Sequence, residues 1–81
     1  MDTKSKIKET IINLLRIKPE ELKDDIALED GLGVDSTEMV ETVIALEKAF
    51  KVKLNVKEIT KSSSVNDIAK VVDSKLSEAT A

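Results

Sequence analysis

Apolar residues recur along this chain at three- and four-residue steps, with almost none of the sustained alternation that marks half-buried strands. Ile7, Ile11, Leu14 and Leu15 form one such stripe, while Lys4, Lys8, Glu9 and Arg16 fall off it, so a first helix is predicted over residues 3–17. Pro19 ends it, because the residue before a proline is driven out of helical space. A second stripe of Met39, Val40, Val43, Leu46 and Phe50, with Glu47 at its edge, predicts a helix that starts at Ser36. Its opening, Asp35-Ser36-Thr37-Glu38, is a capping box with Asp35 as N-cap and Glu38 at the third helical position. Asn55-Val56-Lys57-Glu58 has the same form and predicts a short third helix through Ile59 and Thr60. Val65, Ile68, Ala69, Val72 and Leu76 predict a last helix to about residue 76, with Ser64 as N-cap and Asp67 at the third position, followed by a frayed tail over 77–81.

Between the first two helices lies a long connection, residues 18–34, holding both glycines and the only proline. Leu22, Ile26, Leu28, Leu32 and Val34 are irregularly spaced along it, the pattern of a loop pinned to a core at several points. Pro19 to Leu22 is suited to one tight turn. Lys51-Val52-Lys53-Leu54 alternates, but it has no partner strand, so it reads as an extended connection whose Val52 and Leu54 plug the core. The expected fold is all-α: a small four-helix bundle, three main helices plus the short third one, with a long first loop. Eighty-one residues allow one such domain, spanning 1–81.

Composition narrows the chemistry. Phe50 is the only aromatic, so the core is aliphatic. There is no cysteine and no histidine, which removes disulfides, thiolate metal sites and the commonest general base, and no metal-binding set is expected. No run approaches the roughly 18 apolar residues of a membrane span, so a cytoplasmic protein without stable membrane insertion is expected. Charge is uneven: five bases against two acids over residues 1–19, ten acids against two bases over 20–50, and six bases against four acids over 51–81. The acidic middle attracts basic partner surfaces and repels a phosphate backbone, and no aromatic platform for nucleic acid exists.

Asp35 already fills the cap, which leaves Ser36 over. A hydrolytic serine needs an oriented base, and no histidine is present. Gly31 and Gly33 are too few for a phosphate-binding loop, and no Gly-Lys-Ser/Thr step follows. What remains is a serine that is acted upon, since a hydroxyl at a helix N-terminus suits a phosphate ester. Simple phosphorylation and attachment of a larger phosphate-linked group both satisfy this.

The stretch "GVDSTEMVETVIALEKAF", residues 33–50, resembles the signature of the acyl carrier proteins: Asp-Ser followed by an acidic, aliphatic helix ending Ala-Leu-Glu-x-x-Phe. The leading amphipathic helix, the loop with Leu32-Gly33 before the motif and the Val65-x-Asp67-Ile68 start of the last helix fit the same family. The resemblance implies a carrier and not an enzyme. Ser36 would bear a 4'-phosphopantetheine arm added from coenzyme A by a phosphopantetheinyl transferase, with Asp35 helping to orient it. Acyl groups would ride on its thiol as thioesters to partners such as a ketosynthase, reductase or acyltransferase of fatty acid, lipid or polyketide-type synthesis, the carrier itself being a monomer. By the same resemblance, Thr37, Glu38, Glu41, Ile44, Glu47 and Lys48 would meet partners, and Val40, Val43, Leu46, Ile59, Ala69 and Val72 would line the acyl-chain pocket. Departures at Thr37, Thr42, Lys48, Ala49, Lys51 and Lys53 point to a specialised member over a housekeeping one. The rival reading is an unmodified helical interaction module that docks basic partners through the acidic second helix.

Overall fold

The computed structural model describes residues 2–80, with side chains through residue 78, and among these no strand occurs. Helices α1 (Thr3–Leu15), α2 (Leu28–Leu32), α3 (Ser36–Phe50) and α4 (Val65–Thr80) follow in order, with a 3-10 turn at Pro19–Glu21 in the loop after α1. The all-α bundle with a long first loop is as the periodicity predicts. No helix of the described residues is long and apolar enough to cross a membrane.

Each main helix starts where its cap dictates. Asp2 accepts the Ser5 N–H at 2.8 Å to open α1. Ser64 and Asp67 form a reciprocal box at α4: the Ser64 N–H donates to Asp67 Oδ2 at 3.1 Å, and the Asp67 N–H to Ser64 Oγ at 3.2 Å. α1 stops at Leu15, two residues short of the predicted end, because Arg16 turns into the left-handed region at φ 55°. α4 continues past Leu76 to Thr80, and Ala81 lies outside the described residues.

The core is aliphatic, with Ile7 and Ile11 of α1, Met39, Val43 and Leu46 of α3, and Val65, Ile68 and Val72 of α4 all buried. Leu22, Leu28 and Val34 pin the first loop to it, while Ile26, expected to do the same, is 41% exposed. Leu54 and Ile59 close the remaining side.

Two short elements differ from expectation, and one set of bonds explains both. Residues 55–59 form a single turn and no helix: the N–H groups of Glu58 and Ile59 both reach the Asn55 carbonyl, at 2.9 and 3.2 Å. Asn55 Oδ1 takes the Lys57 N–H, and the Glu58 carboxylate pairs with Lys75 at 3.1 Å, so the box expected there never closes. The next donor, the Thr60 N–H, goes to Ser63 Oγ at 3.2 Å, which turns the chain away. The segment after that turn supplies carbonyls elsewhere. Ser63 and Lys61 accept the N–H groups of Leu28 and Glu29 at 3.0 and 2.9 Å, and this cap from a distant loop lets five residues wind into α2. Gly33 ends α2 at φ 68° with open space where a side chain would sit, so backbone conformation is its reason for being glycine.

Candidate functional site

The mouth of α3 is built by Asp35. Its Oδ1 accepts the Glu38 N–H at 2.8 Å, and the Asp35 N–H donates back to Glu38 Oε1 at 3.2 Å. With the third helical position served in this way, the N–H groups of Ser36 and Thr37 have no acceptor within the helix. Ser36 is exposed, and among the described residues its hydroxyl enters no hydrogen bond. A free hydroxyl, two unpaired N–H groups and the positive end of a 15-residue helix together favour an anionic ester at this oxygen.

Ser36 also stands at the edge of an apolar cavity of about 250 Å³. Met39 and Val40 of α3 form one wall; Val56, Ile59, Thr60 and Lys61 form the other. Of the six residues expected to hold an acyl chain, only Val40 and Ile59 lie on this cavity. Val43, Leu46 and Val72 are closed into the core, and Ala69 packs against it. Met39, Val56, Thr60 and Lys61 are the lining residues that periodicity did not assign to the pocket. Met39 follows Ser36 by three residues and so shares its side of the helix, a spacing that signals its place. Val56, Thr60 and Lys61 gain theirs from the turn at 55–63, where the sequence predicts a short helix through Thr60.

Along α3, Thr37, Glu41, Ile44 and Lys48 fall at steps of four, three and four and are all exposed, one continuous stripe. Ile44 is 45% exposed, an apolar centre between an acid and a base. Glu41 and Lys48 make no ion pair among the described residues. Glu38 and Glu47, expected on the same surface, are partly spent inside the fold. Glu38 completes the capping box, and Glu47 Oε2 accepts the Leu54 N–H at 2.9 Å, holding the connection after α3 against the helix. Glu47 is therefore half-buried and structural at one of its oxygens. Thr42, the departure inside the helix, is fully buried with its hydroxyl donating to the Glu38 carbonyl at 2.8 Å, so it adds no free polar group to the interior.

No cluster of carboxylates able to hold a metal occurs among the described residues. Among the described residues the one charged residue on the cavity lining is Lys61, whose side chain is about half exposed. The site offers an exposed hydroxyl oxygen beside an apolar recess.

Residues 5–72 match the family model described as "Phosphopantetheine attachment site". The acyl carrier protein of Wolinella succinogenes is 34% identical over 67 residues, which is 83% of this chain and 88% of that one. The acyl carrier protein of Clostridium acetobutylicum is 36% identical over 67 residues, 83% of this chain and 87% of the relative. That of Bdellovibrio bacteriovorus is 31% identical over 70 residues, covering 86% and 90%.

Proposed function

The chain belongs to the acyl carrier proteins, and from that membership we propose that Ser36 is the point at which its phosphopantetheine arm is attached. A carrier of this kind shuttles acyl intermediates between enzymes and catalyses nothing itself; it is the substrate of a phosphopantetheinyl transferase and meets acyl-processing enzymes in turn. The arm supplies the thiol on which acyl groups ride as thioesters, chemistry that a chain without cysteine cannot provide from its own side chains.

The observation that carries the reading is the Ser36 hydroxyl: exposed, unbonded, in the first turn of α3, and bordering an apolar cavity within the matched span. In the transfer, Ser36 Oγ forms a bond to the β-phosphorus of coenzyme A as adenosine 3',5'-bisphosphate departs, and the hydroxyl proton passes to the transferase. Asp35 holds the helix mouth in shape and keeps its second oxygen available at the surface. Thr37, Glu41, Ile44 and Lys48 form the partner-facing stripe, with Glu38 adding charge beside the arm. Exposed charges of this sort steer and orient an encounter more than they tighten it, which suits repeated binding and release. The recess between α3 and the 55–61 segment, reached past Val40, shelters the acyl chain. The departures at Thr37, Lys48, Lys51 and Lys53 favour partners dedicated to this carrier.

Intact mass decides the attachment point. Incubation with coenzyme A, magnesium and a phosphopantetheinyl transferase is expected to add one arm to the wild type and none to Ser36→Ala. An arm found on Ser36→Ala, or no gain on the wild type with several transferases, would overturn the assignment and leave an unmodified interaction module.

A further inference from the structure

Lys61 is the one charged side chain on the cavity beside Ser36 among the described residues. Every other lining group is apolar or a hydroxyl, and the Thr60 hydroxyl already accepts the Ser62 N–H at 3.2 Å. The acidic side chains beside the serine work against the favourable helix terminus, because Asp35 and Glu38 stand on either side of Ser36 in the acidic third of the chain. A phosphate diester on Ser36 adds a further negative charge there, and the helix terminus alone offsets part of it.

The backbone of Lys61 is fixed: its carbonyl accepts the Glu29 N–H at 2.9 Å, and two residues on, the Ser63 carbonyl accepts the Leu28 N–H at 3.0 Å. The side chain is held much less firmly. Its ammonium lies 3.9 Å from Glu29 Oε2, at the outer limit of an ion pair, and the other Glu29 oxygen accepts the Ser62 hydroxyl at 3.1 Å. Lys8 with Asp24 and Lys75 with Glu58 pair at 2.8 and 3.1 Å, which shows how close a committed lysine comes in this fold. Lys61 is therefore a cation anchored at its root and weakly engaged at its tip, on the same recess as the modified oxygen.

We propose that Lys61 holds the phosphodiester of the arm, exchanging its loose contact with Glu29 for the new anion once Ser36 is modified. The proposal rests on Ser36 being the attachment point. It makes Lys61 a positioning residue that fixes the root of the arm over the mouth of the recess, while the rest of the arm stays free to swing.

The test compares thermal midpoints of unmodified and fully loaded protein, with loading verified by intact mass, for wild type, Lys61→Gln and Lys61→Arg. An exposed charge pair in a domain of this size corresponds to about 1 to 5 °C. The change in midpoint on loading is expected to be more favourable by that amount in wild type than in Lys61→Gln, and Lys61→Arg is expected to restore it. In about 1 M salt, where screening acts within about 3 Å, the difference is expected to vanish. An equal change on loading in wild type and Lys61→Gln, with both fully loaded, would overturn the role of Lys61 and leave Ser36 untouched. Absence of a mass gain on the wild type would instead remove the attachment point, and the role of Lys61 with it.

Discussion

Asp35 caps α3, and the second duty proposed for its carboxylate, in arm attachment, can be separated from the first by experiment. Its Oδ1 caps α3 through the Glu38 N–H, a bond whose loss costs typically about 1 kcal/mol. The neighbouring Ser36 hydroxyl, the proposed attachment point, is what a transferase would have to reach, and Asp35 adjoins it in sequence. We expect Asp35→Ala to lower the urea midpoint by an amount matching that cap, yet to slow arm attachment at a temperature where the variant remains fully folded. If labelling falls only in step with the folded fraction, Asp35 is a cap and nothing more. Asp35→Asn provides the control, since it keeps an N-cap acceptor and removes the charge. Thr42 shows the opposite case. It departs from the family pattern, but its hydroxyl is satisfied within α3 and its side chain is buried, so its effect is confined to packing.

Among the elements, α3 and the connection after it are coupled through Glu47. The charged acceptor for the Leu54 N–H is a residue that periodicity places at the edge of the apolar stripe and that the family resemblance assigns to partners. A hydrogen bond to a charged group contributes about 1.5 to 3 kcal/mol, whereas substitutions at exposed, unbonded positions usually stay within about 0.5 kcal/mol. Glu47→Ala is therefore expected to destabilise by about 1.5 kcal/mol in urea unfolding and Glu41→Ala to leave stability nearly unchanged. The reverse order would show that Glu47 belongs to the docking stripe and not to the loop anchor. This pair also marks how far sequence reading reaches. The start of α3, the Ser64–Asp67 box and the apolar stripes were all legible, because each is written within four residues of itself. Position 47 was legible as an edge position but not as the partner of residue 54, seven residues away. α2 was hidden for the same reason: its first N–H groups are capped by the carbonyls of residues 61 and 63, a bond across the fold that leaves no local trace. The expected third helix failed because its capping carboxylate, Glu58, found a better partner in Lys75 of α4. Three of the seven cavity-lining residues follow from these two departures, since Val56, Thr60 and Lys61 owe their positions to the turn and to the bonds that hold it. The exposed Ser36 hydroxyl, in contrast, depends only on a helix start.

Across the whole molecule, Asp24 fastens the middle of the long first loop to two helices at once. Its carboxylate lies 2.8 Å from Lys8 and 3.6 Å from Lys4, both on α1, and its carbonyl accepts the Asn66 N–H at the start of α4 at 3.0 Å. The hydrogen bond from Lys8, with the charges of Lys8 and Lys4 behind it, holds the Asp24 carboxyl below its ordinary range despite an opposing contribution from desolvation. The Asp2 cap is lowered as well, chiefly by the Ser5 N–H. A carboxyl whose folded value lies below its unfolded one binds more protons unfolded than folded, so it favours the native state above the unfolded value and loses that effect as pH falls through the folded one. Lys75, raised by its bond to Glu58, behaves in the opposite sense, and its contribution is lost only as pH rises past the ordinary lysine range. The two limbs are therefore well separated, and the acid limb reports the loop. We expect Asp24→Asn to melt below the wild type near neutral pH, with the gap starting to close as pH falls below the ordinary aspartate value of the unfolded chain, about 4, and closing further as pH falls through the lowered folded value. Thermal midpoints of both proteins measured down to about pH 2.5 test this, and a gap that persists unchanged through the acid range would show that Asp24 supports the fold through its backbone bond to Asn66 and not through its charge.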